Sequence, residues 1–379
     1  MPKLIIDEQE IEVPTGTKVI DAAEKLGIVI PRFCYHPALG SVGACRVCAV
    51  KFLEGPIKGV QMSCVIELLM LNHPHDCPVC DEGGHCLLQD LTIAGGHGIR
   101  RFKGKKRTHN DQYLGPLIRH EMNRCIQCYR CSRFYQEFAG YRDLGVMQIG
   151  SRVYFGRYKA GKLESPFAGN LTDICPTGVY TDKPSRFIGR RWDYERSPSV
   201  CINCSLGCHT VVSARYRQIV RQEAKYSEAV NGHFICDRGR YGFYYAGQDG
   251  FYYAGQDERP RYPRIRGKES SWENSLQAAF VGLERISRES GPAAVACVGS
   301  VRSSLETQAA LKRLCQTKGW QGPVYGMDLD IEVKVKTAIS ELDPDLAVSL
   351  RDLEKADYIL AVGVDPVNEA PMLAMAMRQ

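Results

Sequence analysis

The sequence predicts a multi-domain α+β chain: a small strand-and-helix unit, a long loop-rich middle, and then an α/β layer. Three observations carry this reading. Two short apolar strands and one helix open the chain. Cysteines crowd a middle stretch that lacks long periodic segments, and helix and strand patterns alternate after residue 260. At 379 residues the chain exceeds one ordinary core and divides into roughly two to four domains.

Lys3–Ile6 and Glu10–Val13 read as strands around a polar turn. Thr17 is placed to cap a helix carrying Val19, Ile20, Ala23 and Leu26, and Gly27 to stop it. Two strands, a helix and then a cysteine-bearing loop predict a β-grasp unit. From residue 66 to 195 only short helices are expected, so order there centres on cysteines, with bound metal as the staple. Further on, Trp272–Ser287 reads as an amphipathic helix with Leu276, Ala279, Phe280 and Leu283 on one face. Ala293–Val298 reads as a strand, Leu305–Cys315 as a second helix and Tyr358–Gly363 as another buried strand, an alternation that predicts parallel strands. The pattern stops soon after, so this domain is expected to continue in a longer natural protein or to end as a remnant. Gly242–Asp249 reads GFYYAGQD and is copied at Gly250–Asp257; so short a tandem copy reads as a recent duplication or a sequence error, not a solenoid repeat.

A hydrophobic fraction of 44% and a charged fraction of 24% are those of a soluble globular protein. The longest apolar stretches, Val65–Leu71 and Tyr358–Val364, fall far short of the roughly 20 residues that span a bilayer. The start Met1-Pro2-Lys3-Leu4 lacks a basic segment followed by an apolar core, so a cytoplasmic location is expected, with any membrane association made through partners. The net charge of +6 is modest, and the basic run Arg100–Arg107 reads as a solvated or docking face rather than a nucleic-acid site.

Seventeen cysteines in such a compartment point to metal rather than disulfides. They fall into four groups. The first is Cys34, Cys45, Cys48 and Cys64, with Gly40, Gly43 and Ala44 letting the backbone aim amides at sulfur; this favours [2Fe–2S] over zinc. The second is Cys77, Cys80 and Cys86, which need a fourth ligand; His73, His75 and His85 are all within reach, and spacing alone does not choose among them. The third is Cys125-x2-Cys128-x2-Cys131 completed by Cys175-Pro176, a bacterial-ferredoxin run for [4Fe–4S]. The fourth is Cys201-x2-Cys204-x3-Cys208 with Cys236, which suits another [4Fe–4S] cluster and leaves zinc as a competitor. Only Cys297 and Cys315 are left over, as small buried hydrophobes. With one histidine, the remainder make four complete sets of four.

These groups, in this order, resemble the N-terminal half of the G subunits of bacterial NADH:quinone oxidoreductases. The resemblance lies in HDCPVCDEGGHCLLQD at 75–90, LGPLIRHEMNRCIQCYRCSRF at 114–134, SPFAGNLTDICPTGVYTDK at 165–183 and CINCSLGC at 201–208. It covers about residues 1–245 strongly and continues more weakly to Gln379 as the opening of a molybdopterin-oxidoreductase-like domain. The resemblance implies one [2Fe–2S] cluster on Cys34, Cys45, Cys48 and Cys64, and three [4Fe–4S] clusters. The family's histidine lies four residues before its first cysteine, which maps onto His73. The [4Fe–4S] sets are then His73, Cys77, Cys80 and Cys86; Cys125, Cys128, Cys131 and Cys175; and Cys201, Cys204, Cys208 and Cys236.

The implied domains are 1–72, a [2Fe–2S] ferredoxin-like β-grasp; 73–195, a two-cluster [4Fe–4S] domain; 196–258, a [4Fe–4S] domain of molybdopterin-oxidoreductase type; and 259–379, a partial α/β domain. The implied role is relay of electrons, one at a time, from a flavin- and NADH-binding partner subunit toward quinone in a proton-translocating complex on the inner face of the cell membrane. No catalytic acid, base or nucleophile is needed. There is no G-x-G-x-x-G after a strand, so NADH and flavin are expected on partners. Two rivals stand beside this reading. One is the electron-input part of an NAD-linked formate dehydrogenase or hydrogenase. The other is a multi-zinc nucleic-acid-binding protein, which Asp76, Asp81, Glu82 and Asp90 around the second group argue against.

Overall fold

The structure is a computed structural model; it describes residues 3–48, 50, 53, 63–94, 103–216, 218–243, 262–300, 303–325, 329–343 and 345–379. Two compact units form, one from Met1–Ala246 with Ser349–Gln379 and one from Gly247–Val348. The tandem copy of GFYYAGQD lies almost wholly outside the described residues, as do Arg100 and Arg101 of the basic run.

The first unit opens with the antiparallel hairpin β1 (Lys3–Ile6) and β2 (Gln9–Glu12). Asp7 and Glu8 both take positive φ, 45° and 67°, the two-residue turn whose twist matches that of the strands. This shifts β2 one residue earlier than the apolar pattern predicts. Helix α1 (Val19–Lys25) follows. Its N-cap is Lys18 with no side-chain cap, because the Thr17 hydroxyl donates instead to the Pro14 carbonyl at 2.8 Å. The expected stop is present: the Gly27 and Ile28 amides donate to the carbonyls of Glu24 and Ala23, with Gly27 at φ +76°.

The middle of the chain has only short pieces: α2 (Ser63–Met70), α3 (Leu87–Ala94), β3 (Ile118–His120), α4 (Arg130–Arg133), β4 (Leu144–Met147), β5 (Tyr154–Arg157), α5 (Leu171–Ile174) and β6 (Tyr180–Asp182). The pairs β3–β6 and β4–β5 are antiparallel. Then β7 (Glu195–Val200), β8 (His209–Arg215) and β9 (Gln218–Ala224) make a three-stranded antiparallel sheet, followed by α6 (Asp237–Tyr241).

The core of this unit is built from aromatic and thiol side chains together. Phe134, Tyr135, Phe155, Phe167, Tyr180 and Phe234 pack with Cys131, Cys175, Cys201, Cys208 and Cys236. A second cluster joins Phe33, Val47, Ile66, Leu88 and Ile126 with Cys34, Cys45, Cys86 and Cys128.

The second unit contains β10 (Arg264–Ile265), β11 (Lys268–Glu269), α7 (Trp272–Ser290), β12 (Ala296–Val298), α8 (Leu305–Lys318), β13 (Gln321–Val324) and α9 (Leu329–Ser340). Strands β12 and β13 pair in parallel across α8, but the partner of β12 is this short strand and not the expected Tyr358–Gly363. Cys315 is buried beside Val295 and Trp320, with Cys297 packed against them. The apolar face of α7 behaves differently: none of its residues is buried, and Leu276 is 64% exposed.

Residues 349–379 return to the first unit as α10 (Leu350–Leu353), α11 (Pro366–Glu369) and α12 (Pro371–Ala376), with Met372 and Met375 entering its core. Tyr358–Gly363 is not a strand. No described strand pairs with it, and Tyr358, Leu360 and Val362 are each more than 70% exposed.

Two buried polar features generate expectations. His120 on β3 is fully buried, donates from Nε2 to the Phe155 carbonyl at 3.0 Å and accepts the Gln112 amide at Nδ1. Burial pushes its pKa down to about 4. The unfolded chain therefore takes up its proton first, so this stability is complete above pH ~6.5 and lost as pH falls toward 4. The denaturant midpoint is expected to fall over that window, and less steeply in His120→Gln; equal slopes would overturn the assignment. Arg240, 1% exposed, is held by Asp173 at 2.5 Å and by the Asn170 amide oxygen at 3.2 Å, and Asp173 also pairs with Arg221 at 3.1 Å. Asp173→Ala strands a buried cation and is expected to cost about 3 kcal/mol in equilibrium unfolding.

Candidate metal centres

The loop after α1 carries the first group. Gly40 and Gly43 sit at φ +68° and +67°, where a side chain would be strained. The loop brings the Cys34 and Cys45 sulfurs to 3.4 Å. Burial pushes the Cys34 thiol up, but the amides of Cys45, Ala44 and Val42 donate to its sulfur and bring its pKa below the ordinary value. Cys45 remains raised by burial, and Cys48 is half-buried. Cys64 is the second residue of α2; its side chain is outside those described.

In the second group Cys77 opens a single 3₁₀ turn, Cys77–Val79, and Cys80 and Cys86 are buried. Burial, then the charges of Glu82 and Cys80, push the Cys86 thiol up to about 12. Of the three histidines, His75 is exposed, and the Nε2 of His85 lies 3.2 Å from the Glu82 carboxylate. His73 is buried, with Nδ1 3.1 Å from the Arg124 carbonyl. A carbonyl only accepts, so Nδ1 holds the proton and Nε2 keeps a free lone pair. Burial lowers the His73 pKa to about 4, keeping the ring neutral as a metal ligand must be.

The third group converges most closely. Cys125, Cys128, Cys131 and Cys175 line one small cavity with Ile126, Tyr129, Phe155, Thr177, Val179 and Tyr180. Gln127 and Tyr129 alternate through positive φ, 55° and 64°, which coils the C-x2-C-x2-C loop so that its three sulfurs face inward. The Gln127 amide donates to the Cys125 sulfur at 3.3 Å. Burial raises all four thiols, Cys128 to about 12, and repulsion from neighbouring thiols adds to it at Cys125, Cys128 and Cys131.

The fourth group lies in the β7–β8 connection, closed by the Cys201 amide donating to the Cys208 carbonyl at 2.8 Å. Cys236, the N-cap of α6, accepts the Gly239 amide at 3.3 Å. A side chain at Gly239 would meet the Cys201 sulfur at 3.3 Å and the Cys236 sulfur at 3.5 Å. The two sulfurs thus flank one glycine. Burial pushes Cys208 up to about 12 and Cys236 up to about 11.

Groups two and three interlock. The Arg124 carbonyl receives both His73 Nδ1 and the Thr177 hydroxyl, the latter at 3.0 Å. A side chain on Gly178 would meet the Cys80 sulfur at 2.6 Å. Arg190 donates to the carbonyls of Cys77, Pro78, Cys80 and Gly83, pinning the second ligand loop.

Buried thiols raised this far cost free energy as thiolates unless a cation neutralises them, which is the donor chemistry of iron–sulfur clusters. Among the described residues no three His, Cys, Asp or Glu side chains converge on a single-ion position.

Family models agree along nearly the whole chain. Residues 3–69 match a 2Fe-2S iron-sulfur cluster binding domain, and 64–101 an NADH-ubiquinone oxidoreductase-G iron-sulfur binding region. Residues 115–181 match the ferredoxin-like domain of NADH-quinone oxidoreductase subunit 3. Residues 194–247 match a molybdopterin oxidoreductase Fe4S4 domain and 259–379 the molybdopterin oxidoreductase domain. The NADH-quinone oxidoreductase G subunit of Pseudomonas fluorescens is 41% identical over 100% of this chain, and that of Buchnera aphidicola 39%. The chain belongs to the family of NADH-quinone oxidoreductase G subunits. It spans 43% and 44% of the length of these two relatives, and the G subunit of Escherichia coli K12 is 41% identical with 44% of its length covered. A solved chain from an NAD+-reducing [NiFe]-hydrogenase is 27% identical, with a TM-score of 0.43, over 48% of this chain and 88% of its own.

The family's motifs mark its cysteines, but spacing gives no sign of Arg190, Arg124 or Thr177, which position the ligand loops. Gly178 was the one accessible signal, since a glycine two residues after Cys-Pro implies a close approach. Gly178→Ala pushes a methyl into the Cys80 sulfur and is expected to lose about 4 irons per chain. Full iron retention by elemental analysis would show that the two do not touch.

Proposed function

We propose that this chain is the iron–sulfur electron-relay part of an NADH:quinone oxidoreductase. It accepts electrons from a flavin-bearing, NADH-oxidising subunit, hands them on toward quinone, and itself binds neither NADH nor flavin. Its neighbours are the other subunits of the complex's peripheral arm, on the inner face of the cell membrane; no described helix is long and apolar enough to cross a bilayer. The four domains are those expected from the motifs, at 1–72, 73–195, 196–258 and 259–379. The single observation that carries the reading is the buried cavity on which Cys125, Cys128, Cys131 and Cys175 converge.

The [2Fe–2S] cluster is assigned to Cys34, Cys45, Cys48 and Cys64. The [4Fe–4S] clusters are assigned to His73 with Cys77, Cys80 and Cys86, to Cys125 with Cys128, Cys131 and Cys175, and to Cys201 with Cys204, Cys208 and Cys236. The clusters, once bound, supply one-electron redox chemistry. The protein's part is to hold the thiolates, aim amides at sulfur, as at Cys34, Cys125 and Cys236, and exclude water. His73 brings a neutral ligand where the other sets bring a thiolate, which makes that cluster less negative and easier to reduce.

Anaerobic purification of the chain is expected to yield about 14 irons per polypeptide. Stepwise reduction then gives one [2Fe–2S] and several [4Fe–4S] signals by electron paramagnetic resonance. Zinc in place of iron, with no reducible signal, would end the relay reading.

A further inference from the structure

Arg130 lies between Cys128 and Cys131 in sequence, and its guanidinium spans two of the groups. One nitrogen donates to the Tyr35 carbonyl at 2.5 Å, next to Cys34. Another donates to the Ile174 carbonyl at 3.3 Å, next to Cys175. Its Nε is buried and has no hydrogen-bond partner among the described residues.

Neighbouring arginines are matched by carboxylates: Arg124 with Asp76 at 2.8 Å, Arg133 with Glu137 at 3.1 Å, and Arg186 with Asp81 at 2.6 Å. No ion pair joins Arg130 to a carboxylate among the described residues. The ionisable groups acting on it are the thiols of Cys128, Cys175, Cys34 and Cys45. A largely buried guanidinium with only neutral carbonyls for partners is costly unless an anion stands nearby. With four cysteinate ligands, an oxidised [2Fe–2S] or [4Fe–4S] cluster is a dianion and becomes a trianion on one-electron reduction. Clusters held by the Cys34 and Cys125 groups would each bring such an anion to the neighbourhood of Arg130.

We propose that Arg130 is a shared counter-cation that raises the reduction potentials of both the Cys34-group and the Cys125-group clusters, while its hydrogen bonds to Tyr35 and Ile174 fix the two sites beside each other. This inference rests on the relay reading and adds to it a residue that acts on two clusters at once. In each couple the cluster takes up one electron, and Arg130 neither gains nor loses a proton. The attraction of a fixed cation for the added electron is stronger here than at the surface, because the site is screened from water. The second and fourth groups have other arginines beside their ligands, Arg190 on the Cys77–Gly83 loop and Arg238 two residues after Cys236, whereas the hydrogen bonds of Arg130 go to the Cys34 and Cys175 neighbourhoods, so its effect is confined to this pair.

The test is a dithionite titration of the anaerobically purified full chain, followed by electron paramagnetic resonance, in wild type, Arg130→Gln and Arg130→Lys. Each signal is assigned by its loss in Cys45→Ala, Cys80→Ala, Cys128→Ala or Cys204→Ala. Glutamine can still donate to a carbonyl but carries no charge. In Arg130→Gln the electron affinities of the Cys34-group and Cys125-group clusters are expected to fall about tenfold, which is about 59 mV for a one-electron couple. The other two are expected to stay put. Arg130→Lys keeps the charge and is expected to stay close to wild type. Unmoved potentials in a fully loaded Arg130→Gln, a shift in only one of the pair, or an equal shift in all four would overturn the proposal. Should Arg130→Gln not hold its clusters, Arg130→Lys decides alone: loaded and close to wild type supports a charge role, while unloaded or lowered potentials reject it. A wild-type chain without reducible signals would remove the relay reading itself, which separates that failure from a failure at Arg130.

Discussion

The fold of the first unit depends on burying thiols where other proteins bury only hydrocarbon. Cys131, Cys175, Cys201, Cys208 and Cys236 are members of the same core as Phe134, Phe155 and Phe234, and Cys34, Cys45, Cys86 and Cys128 belong to the neighbouring one. A protonated thiol is a passable small hydrophobe, so the polypeptide can pack this way by itself. Once the thiols act as ligands, the same burial that raises Cys128, Cys86 and Cys208 to about 12 makes four unpaired thiolates untenable. Metal binding and folding are thereby linked: the free energy that iron returns by displacing these protons is also stability for a region whose helices are mostly a single turn long.

Loops that approach a cluster expose backbone carbonyls that no helix or ladder satisfies, and those carbonyls still need donors. Arginine supplies them. Arg190 gathers four carbonyls of the second ligand loop, Arg130 and Arg133 reach back to Tyr35 and Leu39 in the first, and Arg378 and Gln379 return from the end of the chain to Ala139 and Phe138. A planar fork with several donors suits this work better than a lysine, because it serves divergent carbonyls from one rigid group. The modest net charge of the chain conceals this internal use of its cations.

What the sequence made legible follows from how local each feature is. The C-x2-C-x2-C loop and the Gly27 stop depend on short-range geometry, which the spacing carries; the parallel partner of β12 is the short β13, which the apolar pattern missed. The sheet β7–β9 was not foreseen. Its first strand, Glu195-Arg-Ser-Pro-Ser-Val200, is exposed throughout, so it lacks the apolar alternation that marks a strand, and the pairing with β8 that creates it is not a local property. The reverse error occurred at Tyr358–Gly363, where an apolar run reads as a buried strand but has no ladder to join. Thr17 shows how capping chemistry misleads: its hydroxyl had a nearer acceptor in Pro14 and left Lys18 to open the helix. The choice of His73 over His75 came from resemblance alone, and only burial and the Arg124 carbonyl give it a physical basis.

Three devices for setting a potential are distributed unevenly over the four sites. Around Cys34 the loop amides of Cys45, Ala44 and Val42 already stabilise negative charge on sulfur, enough to offset burial. Cys128 is buried and Cys125 half-buried, and the pair repel each other, which works against an added electron. In the second group a neutral imidazole replaces one anion. Different devices at different sites let the protein set each potential separately. A cation at Arg130 is most useful where the thiols are most enclosed, because it offsets at the third site the penalty that burial imposes there. The Cys34 site, with its own amides, needs that help less. On the proposed reading, the electrostatic correction is carried by α4, whose first residue donates to both neighbourhoods, rather than by each loop separately.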